Sequence, residues 1–276
     1  MPAFRRVEVH TKSNDFRKAT HIVTEQELPT PAAGHVLVKN HYVGINATDI
    51  NITNGAYSPA PAPFGCGLEG VGIVVAVGEG VTNVKVDDAV TYKKIGAFAE
   101  YVEVAAATLV QIPEPIKEVL PLLTSGSSGS MALETVGEMK TGETILAEYP
   151  KGLNLVFETV GGDMLRAAVN NIAVHGRIIA FGYISGYQSV DHSKQLSAAE
   201  MVPTLLFRSA SLRGFISSNH MEHFGPHMHR LLALIKDGKL KVEVDPTPFE
   251  GLEAIPEAID YMFAKKNIGK LVIKLV

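Results

Sequence analysis

A single cysteine, Cys66, is all the thiol this chain has. That excludes an internal disulfide and any multi-thiolate zinc or iron–sulfur site, and it fits a reducing compartment. No apolar run approaches the ~20 residues needed to span a bilayer. Basic charge is not in excess: 25 Lys and Arg stand against 29 Asp and Glu, a formal net charge of -4. No field of one sign is available to draw nucleic acid or anionic lipid, so neither is an expected partner. Met1 to His10 carries Arg5 and Arg6 with no apolar stretch behind them, so no secretory signal is expected. The last residues, Lys274-Leu275-Val276, are not a peroxisomal S-K-L tail. Cytoplasm is the expected location, with peroxisome and mitochondrion as alternatives. Internal repeats and low-complexity tracts are missing too, which removes solenoid and disordered classes.

What is present is a globular composition, 46% hydrophobic and 20% charged over 276 residues, long enough for two domains. The first part reads as strand after strand: Arg6–Val9, His35–Val43, Val71–Val77, Ala89–Tyr92, Ala99–Val104 and Leu109–Ile112. These runs are short, rich in Val, and punctuated by Gly, Pro or Asn, as in an all-β, barrel-like domain. From Ile116 the period changes, and Leu120–Met139 is a helical candidate. Strands Leu153–Phe157 and Arg177–Phe181 flank a helix-length segment, Gly162–Val174; Ala210–Phe215 is a further strand. An amphipathic helix over His223–Lys236 stops at Asp237-Gly238. Strand Val242–Val244, helix Leu252–Phe263 and strand Leu271–Leu275 close the chain. The fold class is therefore α/β with two domains, a β domain followed by parallel β-α units. The expected division is 1–122, completed by about 246–276, and 123–245.

The only G-x-G-x-x-G is Gly65-Cys66-Gly67-Leu68-Glu69-Gly70. A dinucleotide fingerprint must follow a strand and open a helix. Here a Pro-rich loop precedes it and a β-type run, Val71 to Val77, follows. A tight turn between strands is the better reading. Gly126-Ser127-Ser128-Gly129-Ser130 is not G-x-S-x-G and no strand precedes it, so its serines are read as caps at a helix start. His220, His223, His227 and His229 cluster, but Gly225 and Pro226 interrupt the turn. A solvated helix start is favoured over a metal site there.

Val43-Gly44-Ile45-Asn46-Ala47-Thr48-Asp49-Ile50, Gly67-Leu68-Glu69-Gly70-Val71-Gly72 and Gly96-Ala97-Phe98-Ala99-Glu100-Tyr101 resemble the catalytic-domain motifs of medium-chain dehydrogenase/reductases. Phe157 to Gly162, Phe181 to Gln188 and Tyr261 to Lys270 extend the likeness to nearly the whole chain. It is to the quinone-oxidoreductase-like branch, and within it to the prostaglandin reductase 3 group. The resemblance implies a GroES-like β-barrel domain and a Rossmann-like parallel-sheet domain. It implies NADP as cofactor, and a small enone or quinone as substrate, reduced by hydride transfer. Zinc-dependent relatives place a Cys where this chain has Asn46 and a His where it has Leu68. Neither residue here supplies a thiolate or imidazole, so no zinc is expected. The enolate formed by hydride transfer then needs hydrogen-bond donors, and Asn46 and Tyr57 are the catalytic candidates by position. The competing structural readings are a loop-holding Asn46 and a packing Tyr57. By family position, Thr159, Phe181, Tyr187, Phe215, Ile216, Ser217 and Asn267 would line the nicotinamide and ribose side.

In that family a strand such as Glu143–Ala147 runs into a glycine-rich loop and helix that bind the pyrophosphate. Here Ala147 is followed by Glu148-Tyr149-Pro150-Lys151-Gly152 and at once by the next strand candidate. A parallel crossover needs a dozen residues or more, so roughly 60 residues, two β-α-β units, are missing at the junction Ala147-Glu148. Weak or lost NADP binding follows. Strands beside the gap would lose helical cover, exposing Val156, Phe157, Ile178 and Ile179 and inviting a homodimer. Two functions stand open: a reductase with impaired cofactor binding, or an inactive truncated isoform or gene-model product, at most an interaction partner.

Overall fold

The computed structural model describes residues 3–57, 60–138, 152–187 and 196–276. The junction Ala147-Glu148 and the strand candidate Glu143–Ala147 lie outside them. The chain divides into two compact units, residues 1–127 with 225–276, and residues 128–224. The sequence order had set the later boundary at 245; the helix over 224–236 instead clusters with the first unit, where its Met228 and Leu231 are buried.

In the first unit the strands are β1 (Phe4–Val9), β2 (Thr20–Glu25), β3 (His35–Gly44), β4 (Phe64–Gly65), β5 (Glu69–Val77), β6 (Ala89–Lys93), β7 (Tyr101–Ala105) and β8 (Val110–Gln111). Short helices α1 (Phe16–Ala19) and α2 (Asp49–Thr53) sit between them. The long strand β3 is the spine. It pairs antiparallel with β5 on one side, and on the other with β7 through its first half. Val36, Val38, Val74, Val90, Tyr92, Val102 and Val104 point inward from these strands to one core, the alternation that the sequence advertised. The glycine-rich segment forms β4, a turn at Gly67 (φ +87°) and β5; it opens no helix. A Cβ at Gly67 would lie 2.4 Å from the Phe98 ring, so close packing demands glycine there.

The second unit holds a three-stranded parallel sheet, its strands at 211–214, 172–180 and 153–158 in that order. The segment Leu122–Ser127 winds as a π-helix and α3 (Ser128–Thr135) follows. Ser127 is not a cap: its Oγ donates back to the Leu123 carbonyl inside the helical stretch. Next come β9 (Leu153–Glu158), α4 (Gly162–Asn170), β10 (Ile172–Ala180), α5 (Ile184–Tyr187), α6 (Ala198–Arg208) and β11 (Ser211–Gly214). The expected exposure beside the gap is half wrong. Val156 and Phe157 are partly exposed, but Ile178 and Ile179 are fully buried. Ile178 packs with Ala168 and Val169 of α4 and with Met201 of α6, while Ile179 reaches Gly137 on the opposite face. Helical cover from α4 and α6 on one face of β10 thus survives, and the turn after α3 meets the other.

Back in the first unit, α7 (Phe224–Lys236) ends at Gly238, whose φ is +68°. The expected strand Val242–Val244 does not form; only Val244 bridges, to Lys270. The elements β12 (Phe249–Glu250), α8 (Ile255–Phe263) and β13 (Val272–Lys274) follow. Strand β13 pairs antiparallel with the second half of β3, through Gly44, Val43 and Tyr42. The C-terminal segment therefore joins the sheet built by the first hundred residues.

Candidate active site

Three neighbouring strands, ordered β13-β3-β5, bring three polar side chains together. Asn46 follows β3, Glu69 opens β5, and Lys270 immediately precedes Leu271 and β13. Pairing fixes their level: Gly44 lies opposite Val272, and Val43 opposite Gly70. Lys270 is pinned by its own backbone, donating to the Glu243 carbonyl (3.0 Å) and accepting from the Asp245 N–H (2.9 Å).

Glu69 is fully buried, a placement a charged carboxylate tolerates only with its lone pairs satisfied. They are. Lys270 Nζ lies 2.5 Å from Oε1, and the Asn46 amide donates to the same oxygen at 3.0 Å. Thr124, in the π-helical turn, donates to Oε2 through its N–H (2.9 Å) and its hydroxyl (2.5 Å). Burial pushes the Glu69 carboxyl up, but the Lys270 ammonium and these hydrogen bonds outweigh it and hold the group below its usual range. Lys270 Nζ donates also to Asn46 Oδ1 at 2.7 Å. Gly44 makes this approach feasible, since a Cβ there would fall 2.2 Å from Glu69 Oε1 and 2.9 Å from Lys270 Cε.

Asp49 lies beside this triad. It is completely buried, accepts the Asn46 N–H through Oδ2 at 2.8 Å, and leaves Oδ1 without a partner. Burial drives its pKa up to about 8, so the carboxyl is protonated at neutral pH. Lys93 is shifted the other way, down to about 8, chiefly by burial. Asn46 and Lys270 line a cavity of 290 Å³ with Ile45, Ala47, Ser125 and Asn267 among its walls. Of the residues expected from the sequence, Asn46 and Asn267 thus meet in one place. The Asn267 amide donates to the Gly269 carbonyl at 3.0 Å. The Asn46 amide is engaged by Glu69 and, at 3.3 Å, by the Gly44 carbonyl, so its donors are committed within the protein. Tyr57 stands in the loop after α2, 38% exposed, and is not among the cavity's lining residues.

The other expected cofactor residues gather in the second unit, at the carboxyl ends of its parallel strands. Thr159 follows β9, Phe181 follows β10, and Phe215, Ile216 and Ser217 follow β11. Tyr187 closes α5, its ring edge-on to Tyr183, while Phe181 packs edge-on against Phe157. Carboxyl ends of parallel strands are where open α/β sheets bind ligands, so these residues fit the nicotinamide half of a dinucleotide. The phosphate half finds no such fit among the described residues. The loop before α4 is occupied by the protein's own anion: Glu158 accepts the N–H groups of Val160 (2.8 Å) and Gly161 (2.9 Å). At the start of α6, Ser197 and Glu200 form a reciprocal cap. At both ends a carboxylate of the protein, Glu158 or Glu200, lies where a pyrophosphate would have to approach, and like charges repel.

Zinc fares worse at Asn46. An ammonium group already lies against the only carboxylate that touches Asn46's side chain, and a divalent cation there would be set against it. The chain's one thiol, on Cys66, is buried and pushed well above its ordinary pKa, which opposes the thiolate that zinc requires. These residues do not fit the metal. Elsewhere in the described residues, His220, Glu222 and His223 place ligand atoms within 4.8 Å of one another, with Phe215 stacked on His220. The sequence reading set a metal site aside there because Gly225 and Pro226 interrupt the turn; these three residues lie before that break, in a 3-10 segment kinked at His220.

Residues 32–114 match the family model described as the alcohol dehydrogenase GroES-like domain, and residues 132–273 that of a zinc-binding dehydrogenase. Prostaglandin reductase-3 of Mus musculus is 34% identical, with 95% of this chain and 87% of that protein covered. A probable quinone oxidoreductase of Leishmania amazonensis is 31% identical, with 99% of this chain and 98% of that one covered. The alignment to the mouse protein runs over 328 positions, more than the 276 residues of this chain, so the relative carries residues with no counterpart here. Among solved structures, the quinone oxidoreductase of Escherichia coli complexed with NADPH superposes with a TM-score of 0.80 at 19% identity, covering 98% of this chain and 99% of that one. The chain belongs to the medium-chain dehydrogenase/reductase superfamily.

Proposed function

We propose that this protein is a zinc-independent, NADPH-dependent reductase of small α,β-unsaturated ketones, aldehydes or quinones, with weakened cofactor binding. The observation that carries the reading is the Asn46–Glu69–Lys270 cluster beside a small cavity. It offers one fixed N–H donor, on the Lys270 ammonium, beside the position where zinc-dependent relatives place a Cys ligand. A bound reduced nicotinamide supplies the hydride. The chain's own part is to hold the carbonyl, stabilise charge as it develops on oxygen, and keep the pocket polar at one end and apolar at the other. Glu69, itself held by Thr124, keeps Lys270 in place, and the Asn46 carbonyl accepts a second N–H of the same ammonium. In the second unit Thr159, Phe181, Tyr187, Phe215, Ile216 and Ser217 are proposed as nicotinamide and ribose contacts; in the first, Asn267 is proposed as a cofactor contact and Tyr57 as a further donor.

Weakened binding is supported by the occupied helix starts at α4 and α6 and by relatives longer than this chain. The test is NADPH consumption with benzylideneacetone and with a simple quinone, at cofactor concentrations raised to the millimolar range. A rate that climbs without saturating in NADPH is expected. No turnover with either acceptor favours the second reading, an inactive truncated form, which the same surplus of aligned positions in the relative supports. A homodimer and a cytoplasmic location are proposed alongside. No helix among the described residues is long and apolar enough to cross a membrane.

A further inference from the structure

An ammonium group carries three N–H donors, and two of those on Lys270 are taken, by Glu69 Oε1 at 2.5 Å and Asn46 Oδ1 at 2.7 Å. The residue lines the 290 Å³ cavity, its side chain only 8% exposed. We infer that the third N–H of Lys270 is the donor for a neutral carbonyl oxygen in that cavity, making Lys270 a catalytic residue and the cavity a ketone or aldehyde subsite. This rests on the reductase reading and names the group that grips the substrate.

Charge selects the ligand class. Lys270 and Glu69 together are neutral, and the nearby charges beyond them, Lys93 by the pair and Glu243 exposed on the cavity wall, are of opposite sign. A carboxylate or phosphate would meet no net positive field there. A neutral carbonyl pays no such penalty, and its oxygen gains from the ammonium as negative charge builds on it. Asn46 cannot take that part, because its amide donates to Glu69 and Gly44 and its oxygen accepts from Lys270. Its role is to aim Lys270, which makes Asn46 a positioning residue. The position of the donor is unusually well fixed: the Lys270 backbone is bonded on both sides to Glu243 and Asp245, and Gly44 leaves room for no other packing.

The experiment uses the whole chain without nucleotide and benzylideneacetone labelled with carbon-13 at the carbonyl. A ketone is chosen because an aldehyde would form an imine with lysine. In the wild type the bound carbonyl resonance is expected to move downfield of its position in water. Lys270→Met should abolish that shift and weaken binding about 10- to 100-fold, the loss of one charge-assisted hydrogen bond. Lys270→Arg should retain most of the shift. Cinnamate, the charged analogue, should bind more weakly than the ketone. A carbonyl shift unchanged in Lys270→Met, or cinnamate binding more tightly than the ketone, overturns the assignment. Should Lys270→Met fail to fold, nitrogen-15 lysine spectra of the wild type decide: one ammonium signal must respond to the ketone, and none responding overturns the inference. Because no cofactor is present, these results are separable from turnover. A lost shift with no NADPH consumption would leave the subsite standing and the reductase reading fallen.

Discussion

Removing the charge of Glu69 while keeping its shape is the sharpest perturbation of the site. Glu69→Gln preserves volume and one carbonyl acceptor, but it leaves the Lys270 ammonium buried against a neutral amide. Because Glu69 is 0% and Lys270 8% exposed, solvent cannot replace the lost partner. Breaking a buried pair by removing one member costs about 3–5 kcal/mol, against about 0–1 kcal/mol for an exposed one. At about 2–4 °C of melting temperature per kcal/mol, the expected fall is roughly 6–20 °C. Thermal and urea unfolding followed by circular dichroism, on wild type, Glu69→Gln, Lys270→Met and the double variant, read out the temperature and the free energy. The double variant should lose less than the two single losses added, because it removes both charges together. A Glu69→Gln loss under about 1 kcal/mol, with the two changes simply additive, would refute a buried and mutually dependent pair.

Three further outcomes follow from the same geometry. Asp49 has a folded pKa of about 8, above the ordinary carboxylate value of 3.8. Its contribution to stability is therefore complete at acid pH and is lost as pH rises through 8. Asp49→Asn should gain on the wild type in urea midpoint between pH 5 and pH 9; parallel pH profiles for the two proteins would contradict it. Gly44→Ala should cost at least ~1–3 kcal/mol by overpacking against Glu69 and should shift the lysine ammonium spectrum, where a change in stability alone would point to backbone strain only. Ile178→Ala should destabilise by about 2–5 kcal/mol in thermal melts, since the residue is fully buried between β10 and its helices; a neutral result would mean that α4 and α6 do not cover the sheet in solution.

Much of the fold was legible because most strands bury one face. The alternation along β3 and β5 matches their burial, and the wrong G-x-G-x-x-G could be dismissed because no helix followed it. Strand β2 escaped notice because its side chains are half-buried or exposed throughout, which leaves no period to read. Helix α6 escaped because Pro203 interrupts it and Val202, Leu206 and Phe207 face outward. The segment Val242–Val244 shows the converse: its residues alternate like a strand, yet only Val244 finds a bridge. Exposure beside the gap was overstated because α4 and α6 cover one face of β10 and the turn after α3 meets the other, and none of these belongs to the missing units.

The site was legible only in part. Motif position marked Asn46 and Asn267, and the structure puts both on one cavity. Glu69 was hidden inside a motif read for its glycines, and Lys270 lies 201 residues from it, so no spacing rule could join them. An ion pair between the start of one strand and the approach to another becomes visible only once register is known. The signal that was available is the pair of charged residues flanked by glycine, Glu69-Gly70 and Gly269-Lys270, each at the edge of an apolar run.

On the proposed reading, this chain retains a substrate-side site and has lost the grip on the dinucleotide phosphates. Titration of the intact protein with NADPH, followed by nicotinamide fluorescence, tests it most directly. The expected result is a shallow rise with no saturation in the micromolar range; a saturating curve with a micromolar Kd would contradict it.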